Sequence, residues 1–206
     1  MHDNIRKDFD RDDAERLESL ERARLCASLT KPWILPPSGW SENDRLPEPF
    51  SSLPARACSN LEGKLLTALF PANQPFFRLR PAGRFRFDPQ VEPKKLAEFE
   101  NILHLQELMI LAKLDRTDKQ AGSNSRRAGF RSRMRLAISQ LLITGDVLLQ
   151  LDDEFNIKVF RRDNYITKRD SSGDVLYHII REQIDPLTLT PSQIEEAGMD
   201  LEALQL

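Results

Sequence analysis

Apolar positions recur at helical spacing over four stretches of the chain and then switch to alternation. From about Asp12 to Leu29, the residues Ala14, Leu17, Leu20 and Leu25 can share one face. Asp12, Asp13 and Glu15 sit where a helix N-terminus favours anions, and Lys31-Pro32 ends the helix. A second helix is expected from about Pro54 to Phe70, with Ala57, Leu61, Leu65, Ala68 and Leu69 at helical spacing, proline in the first turn and Pro71 as the stop. Gln74–Arg80 reads as a short extended segment. A third helix, about Pro93 to Leu114, carries Leu96, Phe99, Leu103 and Ile110 on one stripe. Leu105, Leu108 and Leu111 broaden that stripe, which implies burial on more than one side. After the turn Gly122–Ser125, a good N-cap candidate, a fourth helix runs to about Thr144. Its apolar face is Phe130, Met134, Ala137, Ile138 and Leu141, and Gly145 is the expected left-handed terminator.

Beyond Gly145 the period becomes two. Val147–Leu151 reads as a strand, Asp152-Asp153-Glu154 as a turn, and Phe155, Ile157 and Val159 alternate with polar residues. Tyr165–Arg169, the turn Asp170–Gly173 and Asp174–Glu182 complete an antiparallel meander. Thr190-Pro191-Ser192-Gln193 is a capping box that opens a short helix toward Gly198. The expected fold class is α+β: a helical N-terminal part of about four helices, a small antiparallel β-meander and a short C-terminal helix. Residues 1–30 form the N-terminal helix, 31–54 a Pro/Trp-rich extended connector, and 55–206 the α+β region. Six of the 13 prolines fall between Pro32 and Pro54, which rules out regular structure there. Large apolar residues are interleaved with them, so Trp33, Trp40 and Phe50 are candidate anchors for a subunit contact, with packing inside the chain as the alternative.

Composition narrows the chemistry. A 206-residue chain with 40% hydrophobic and 30% charged residues has the profile of a surface-rich globular protein able to bury a core. The net charge of −2 gives no long-range attraction to nucleic acid. Two cysteines, Cys26 and Cys58, with a charged N-terminus that lacks the apolar stretch of a signal peptide, read as reduced thiols. No run approaches the roughly 20 apolar residues of a membrane span. His2, His104 and His178 have no second ligand at metal spacing, neither cysteine has a nearby histidine, and no Gly-rich phosphate loop is present. No enzyme activity, metal or cofactor is therefore expected.

Charge is nevertheless unevenly placed. Asp115–Arg135 holds seven basic and two acidic residues, whereas six carboxylates and no Lys or Arg follow Arg181. Arg126, Arg127, Arg131, Arg133 and Arg135 lie at the start of the fourth helix, and spacings of four put Arg127, Arg131 and Arg135 along one ridge. Cations there oppose the helix dipole, which suggests a phosphate or acidic-partner contact. A nucleic-acid-binding module using residues 126–135 is one reading of this cluster, and an acidic protein surface is another.

Three blocks in fixed order carry a family resemblance. The first runs from Arg22-Ala23-Arg24-Leu25-Cys26 into Trp33-Ile34-Leu35-Pro36. The second, the most specific, is Leu61–Pro71 (LEGKLLTALFP) continuing through Asn73–Leu79. The third is Leu136–Leu151 with Gly145-Asp146, followed by Val159-Phe160-Arg161, Tyr165, Arg169-Asp170, Gly173–Leu176 and Arg181–Ile184. Together they resemble the N-terminal wing portion of the portal (head-to-tail connector) proteins of short-tailed phages. That resemblance implies a structural subunit of a homo-oligomeric, dodecameric ring at one capsid vertex of the virion. Double-stranded DNA is packaged and ejected through such a ring. The partners implied are capsid and scaffolding proteins, the packaging terminase and a tail adaptor, with assembly in the host cytoplasm. Members of the family are more than twice this length, so the sequence is expected to be an N-terminal fragment or the product of a split or truncated gene. The stem and clip would lie downstream.

Overall fold

The computed structural model describes residues 2–41, 43–71, 74–80, 93–121, 129–152 and 156–182. They fall into two compact units. The larger, Asp13–Asp163, holds α2 (Leu17–Leu29), α3 (Leu53–Leu69), α4 (Pro93–Ala121), α5 (Phe130–Thr144), β1 (Leu148–Leu151) and β2 (Ile157–Phe160). The smaller comprises Met1–Asp12 and Asn164–Leu206, with most of α1 (His2–Glu15), β3 (Tyr165–Arg169) and β4 (Val175–Ile180).

Helix α5 is the centre of the larger unit because beyond Arg135 it carries no charged residue and buries Ala137, Ile138, Ser139, Gln140, Ile143 and Thr144. One side, with Ile143 and Leu136, meets Leu20, Ala23 and Ala27 of α2 and the buried Ile34 and Leu35. Another side, with Met134, Ala137 and Ile138, meets Leu66 and Leu65 of α3 together with Val147, Ile157 and Val159 of the hairpin. Gly145 ends α5 at φ 77°, and its amide donates to the Leu141 carbonyl, as the terminator reading requires. The N-cap is Gly129, while the Ser123–Ser125 candidates lie outside the described residues.

Several sequence expectations need correction. The first helix begins at His2, ten residues before the expected start, and breaks at Arg16, where φ −97° and ψ 5° separate α1 from α2. The early part has no apolar repeat to betray it; the ion pair of Arg11 with Asp8 at i,i+3 supports it instead. In α2 the buried face is Leu20, Ala23 and Ala27, leaving Leu17 and Leu25 exposed. Small alanines allow close approach to α5, which the spacing of leucines alone does not reveal. In α4, Leu114 is buried and Leu103, Ile110 and Leu111 are half-buried, but Leu105 and Leu108 point outward with Ile102 and Met109. The broad stripe is thus a core edge and a separate exposed face. Leu141 of α5 is likewise exposed.

The strands pair as two separate antiparallel hairpins rather than one continuous meander. Leu148 faces Phe160 in the first and Tyr165 faces Ile180 in the second, with a register shift between Lys168 and Arg169. A single 3₁₀ turn, Arg162–Asn164, separates β2 from β3. Gly173, at φ 91°, closes the second hairpin, where the Asp170 carboxylate accepts the amides of Ser172 and Asp174. The α+β class stands. Residues 190–198, where the short final helix is expected, lie outside the described residues.

Candidate functional site

Up to the start of α3 at Leu53, the described residues of the proline-dense connector include neither helix nor strand, and part of it runs as successive turns instead of a straight extension. Amides of Ile34, Trp40 and Asp44 donate to the carbonyls of Lys31, Pro37 and Ser41. Those turns bury Pro32, Ile34, Leu35 and Pro36 and leave Trp33 exposed. Trp40 is half-buried, and its indole Nε1 donates to the Asp44 carbonyl at 3.0 Å, so its polar edge is satisfied within the chain. Phe50 is fully exposed. Of the three proposed anchors, Trp33 and Phe50 therefore present apolar area to solvent, and Trp40 mainly stiffens its own turn.

Arg126 and Arg127 lie outside the described residues. Arg131 is half-buried and donates from Nη1 to the carbonyl of Phe70, the C-cap of α3. That contact places a cation on a helix C-terminus, where the dipole favours it. Phe70, Phe76 and Phe130 form an aromatic cluster beside it, with Phe76 stacked on Phe130 at 5.7 Å and edge-on to Phe70 at 5.2 Å. Arg133 is half-buried and Arg135 exposed.

Among the described residues no group of three or more His, Cys, Asp or Glu could hold a metal ion, and no helix is long and apolar enough to cross a membrane. Cys26 is exposed and Cys58 half-buried, both as free thiols. His104 Nδ1 lies 3.4 Å from Glu107 Oε2, and Glu107 Oε1 accepts the Leu79 amide at 2.5 Å. His178 Nδ1 lies 2.9 Å from Thr167 Oγ1 across the second hairpin. These are structural contacts, and none assembles a nucleophile, base and orienting group.

Three polar anchors escaped the sequence reading. In the smaller unit the buried Asp12 carboxylate accepts from Tyr177 Oη at 2.7 Å, Arg11 Nε at 3.0 Å and Lys168 Nζ at 3.2 Å, while Arg181 lies 4.9 Å from the centre of the buried Phe9 ring. Burial alone would push the Asp12 carboxyl up, but the hydrogen bonds from Tyr177, Arg11 and Lys168 outweigh it and hold the pKa at about 2. The Tyr177 phenol is raised, chiefly because it donates to that carboxylate. Since the folded pKa lies below the ordinary 3.8, the stabilisation is present above about pH 4 and disappears as pH falls toward 2. Asp12→Asn is expected to lower stability at neutral pH by about 1–2 kcal/mol after solvent screening. The difference from the parent should vanish near pH 2, as read by thermal melts across pH.

In the larger unit, Arg162 donates to Ser19 Oγ at 2.6 Å and to the Thr144 carbonyl, and its own carbonyl accepts from Arg16 Nη1 at 2.9 Å. One side chain thereby ties α2 to the end of α5. Arg162→Ala is expected to cost about 2 kcal/mol, and Arg162→Lys to recover less than half of it, because an ammonium lacks the planar fork that reaches two separated acceptors. Urea denaturation of the three chains measures this directly. The third anchor joins Lys31 to Glu62: their side chains are only 11% and 5% exposed, and the ion-pair distance is 2.5 Å. No local sequence signal marks any of the three, since each joins residues far apart in the chain.

Comparison with known proteins gives one consistent result. The profile of the family described as bacteriophage head to tail connecting protein matches residues 2–197. The portal protein of Escherichia phage T7 is 29% identical over 187 residues, covering 88% of this chain and 33% of the relative. The portal protein of Enterobacteria phage T3 is 28% identical over 186 residues, and that of Enterobacteria phage SP6 is 24% identical over 178. These cover 88% and 86% of this chain, and 32% of each relative. The chain thus spans about a third of the length of the curated relatives it matches.

Proposed function

The chain belongs to the bacteriophage head-to-tail connecting protein family, and on that premise we propose that it serves as a structural subunit of a portal ring at one vertex of the capsid. The match across residues 2–197 carries this reading. The described surface supports it: large apolar residues stand exposed on α2, α3 and α4. A subunit in a closed ring needs two unlike sticky faces, one for each neighbour.

In this reading the matched residues form the peripheral wing, and the connector 31–54 offers its exposed aromatic residues to adjoining subunits. Trp33 and Phe50 are the aromatic side chains placed to seat in a neighbour. The ring has twelve copies, passes double-stranded DNA during packaging and ejection, and meets capsid and scaffolding proteins through the wing. Contacts with the packaging terminase and tail adaptor fall to the stem and clip, whose counterparts belong to the remaining two-thirds of the relatives' length. The protein does no catalysis of its own and assembles in the host cytoplasm. The alternative, a free-standing nucleic-acid-binding module, has less behind it, because Arg131 is engaged with the Phe70 carbonyl.

A knockout of the gene in the phage tests the reading. The expected result is capsid shells that contain no DNA and lack this polypeptide, with restoration on complementation. DNA-filled heads in the knockout would contradict it.

A further inference from the structure

Each compact unit contains a two-stranded sheet with an inner and an outer strand. The inner strands are β2 and β3: Phe160, Tyr165 and Ile166 are buried, and Ile157 and Val159 pack into the core. The outer strands are β1 and β4, where Leu149, Leu151 and Ile180 are 41%, 57% and 39% exposed. The hairpin closures show which backbone groups face outward. The Asp152 amide donates to the Asn156 carbonyl at 3.1 Å, so in the alternating ladder Gln150 bonds Lys158 and Leu148 bonds Phe160. The N–H and C=O groups of Leu149 and Leu151 therefore turn away from β2. In the second hairpin the Arg181 amide donates to the Asn164 carbonyl at 2.7 Å, so Ile179 and Tyr177 bond β3. The backbone groups of His178 and Ile180 turn away from it, and among the described residues no strand meets either outer edge.

An open edge is a template for another extended chain, and proteins usually blunt it with charge, proline or a bulge. Leu148–Leu151 carries no Lys, Arg, Asp, Glu or Pro, and its register with β2 is unbroken. In β4 a register shift opposite Lys168 and Arg169 limits the regular run to Tyr177–Ile180, which carries none of those residues either. One chain thus offers two unlike, uncharged edges of matching length. That is what a head-to-tail contact needs, since each copy must present a different edge to each neighbour. We propose that β1 of one copy pairs antiparallel with β4 of the next, giving a four-stranded sheet across the contact. The backbone of Leu149 bonds that of Ile180, and the backbone of Leu151 bonds that of His178, while the Leu149 and Ile180 side chains cover one another. The proposal rests on the ring reading for the presence of neighbouring copies and adds which strands meet.

Proline scanning of the protein expressed from its whole gene tests it, because proline deletes one N–H at a chosen side of a strand. Leu151→Pro and Ile180→Pro remove outward N–H groups and leave the hairpin ladders intact. Both are expected to keep the parental circular dichroism and to lower the fraction of rings in negative-stain images about tenfold or more. Gln150→Pro removes an N–H that β2 accepts, so it should lower Tm as well. A second measurement does not depend on the proline variants folding. With a benzophenone-bearing side chain in place of Leu149, ultraviolet light should join that position to residues 175–182 of another copy, giving species of twice the subunit mass and above. Crosslinks confined to one polypeptide, crosslinks only to other surfaces, or none at all overturn the proposal. Intact rings in both outward-facing proline variants overturn it too and leave the ring reading standing, whereas a parent protein that forms no rings removes both.

Discussion

Replacing Lys31 with alanine is expected to destabilise the larger unit by about 3 kcal/mol, one of the two largest effects of any single change considered. The reason is what remains behind. Glu62 sits on the buried side of α3, and the Lys31 ammonium at 2.5 Å is the charge that allows a carboxylate to stay there. Removing the cation leaves a desolvated anion without its counter-charge, which costs more than the intact pair ever contributed. The same contact pins the start of the turn-rich connector to α3, so its loss also frees the chain that places Ile34 and Leu35. For a unit of this size, about 3 kcal/mol corresponds to roughly 6–12 °C in Tm. The double replacement Lys31→Met with Glu62→Leu removes both charges and is expected to recover most of the loss. A cost below about 1 kcal/mol for Lys31→Ala would show that Glu62 is solvated after all.

Leu35→Ala carries the second large effect, about 3 kcal/mol, through a different mechanism. Leu35 is 1% exposed and lies with Ile34 between α2 and Ile143 of α5. Its truncation opens a cavity in a cluster whose other walls are helices that cannot collapse inward. Trp33, two residues earlier, is more than half exposed, and Trp33→Ala is expected to change stability by less than about 0.5 kcal/mol. The contrast separates two roles within one short segment. Leu35 holds the fold, and Trp33 is available to a partner. Equilibrium urea unfolding of both variants decides it, and similar losses for the two would contradict the assignment.

Much of this architecture was legible from spacing. Helix α3, the start of α4 and the end of α5 fall close to their expected bounds because proline and glycine punctuate them: Pro71 after α3, Pro93 opening α4, Gly145 closing α5 at positive φ; with no such punctuation α4 runs on to Ala121, past the expected Leu114, and α5 begins at Phe130. What resisted reading was whatever depends on distant residues. The outward turn of Leu17 and Leu25 follows from α5 docking on Ala23 and Ala27, and helical spacing fits both faces. The stretch His2–Asp10 reads as charged and unremarkable, yet it is helical and buries Phe9. Alternation identified the strands correctly but could not show that the 3₁₀ turn at Arg162 splits them into two hairpins.

The candidate site shows the same division. The arginine cluster stands out in sequence, but the contact of Arg131 with the Phe70 carbonyl, 61 residues away, does not. The family resemblance came from the order of three ordinary blocks, and the match over residues 2–197 shows that this order was informative.

The central claim is that this polypeptide is a portal subunit. Negative-stain imaging of the protein expressed from its whole gene, under assembly conditions, tests that claim most directly. Class averages should show closed rings with a central channel and about twelve-fold symmetry, and a population made up only of monomers would contradict it.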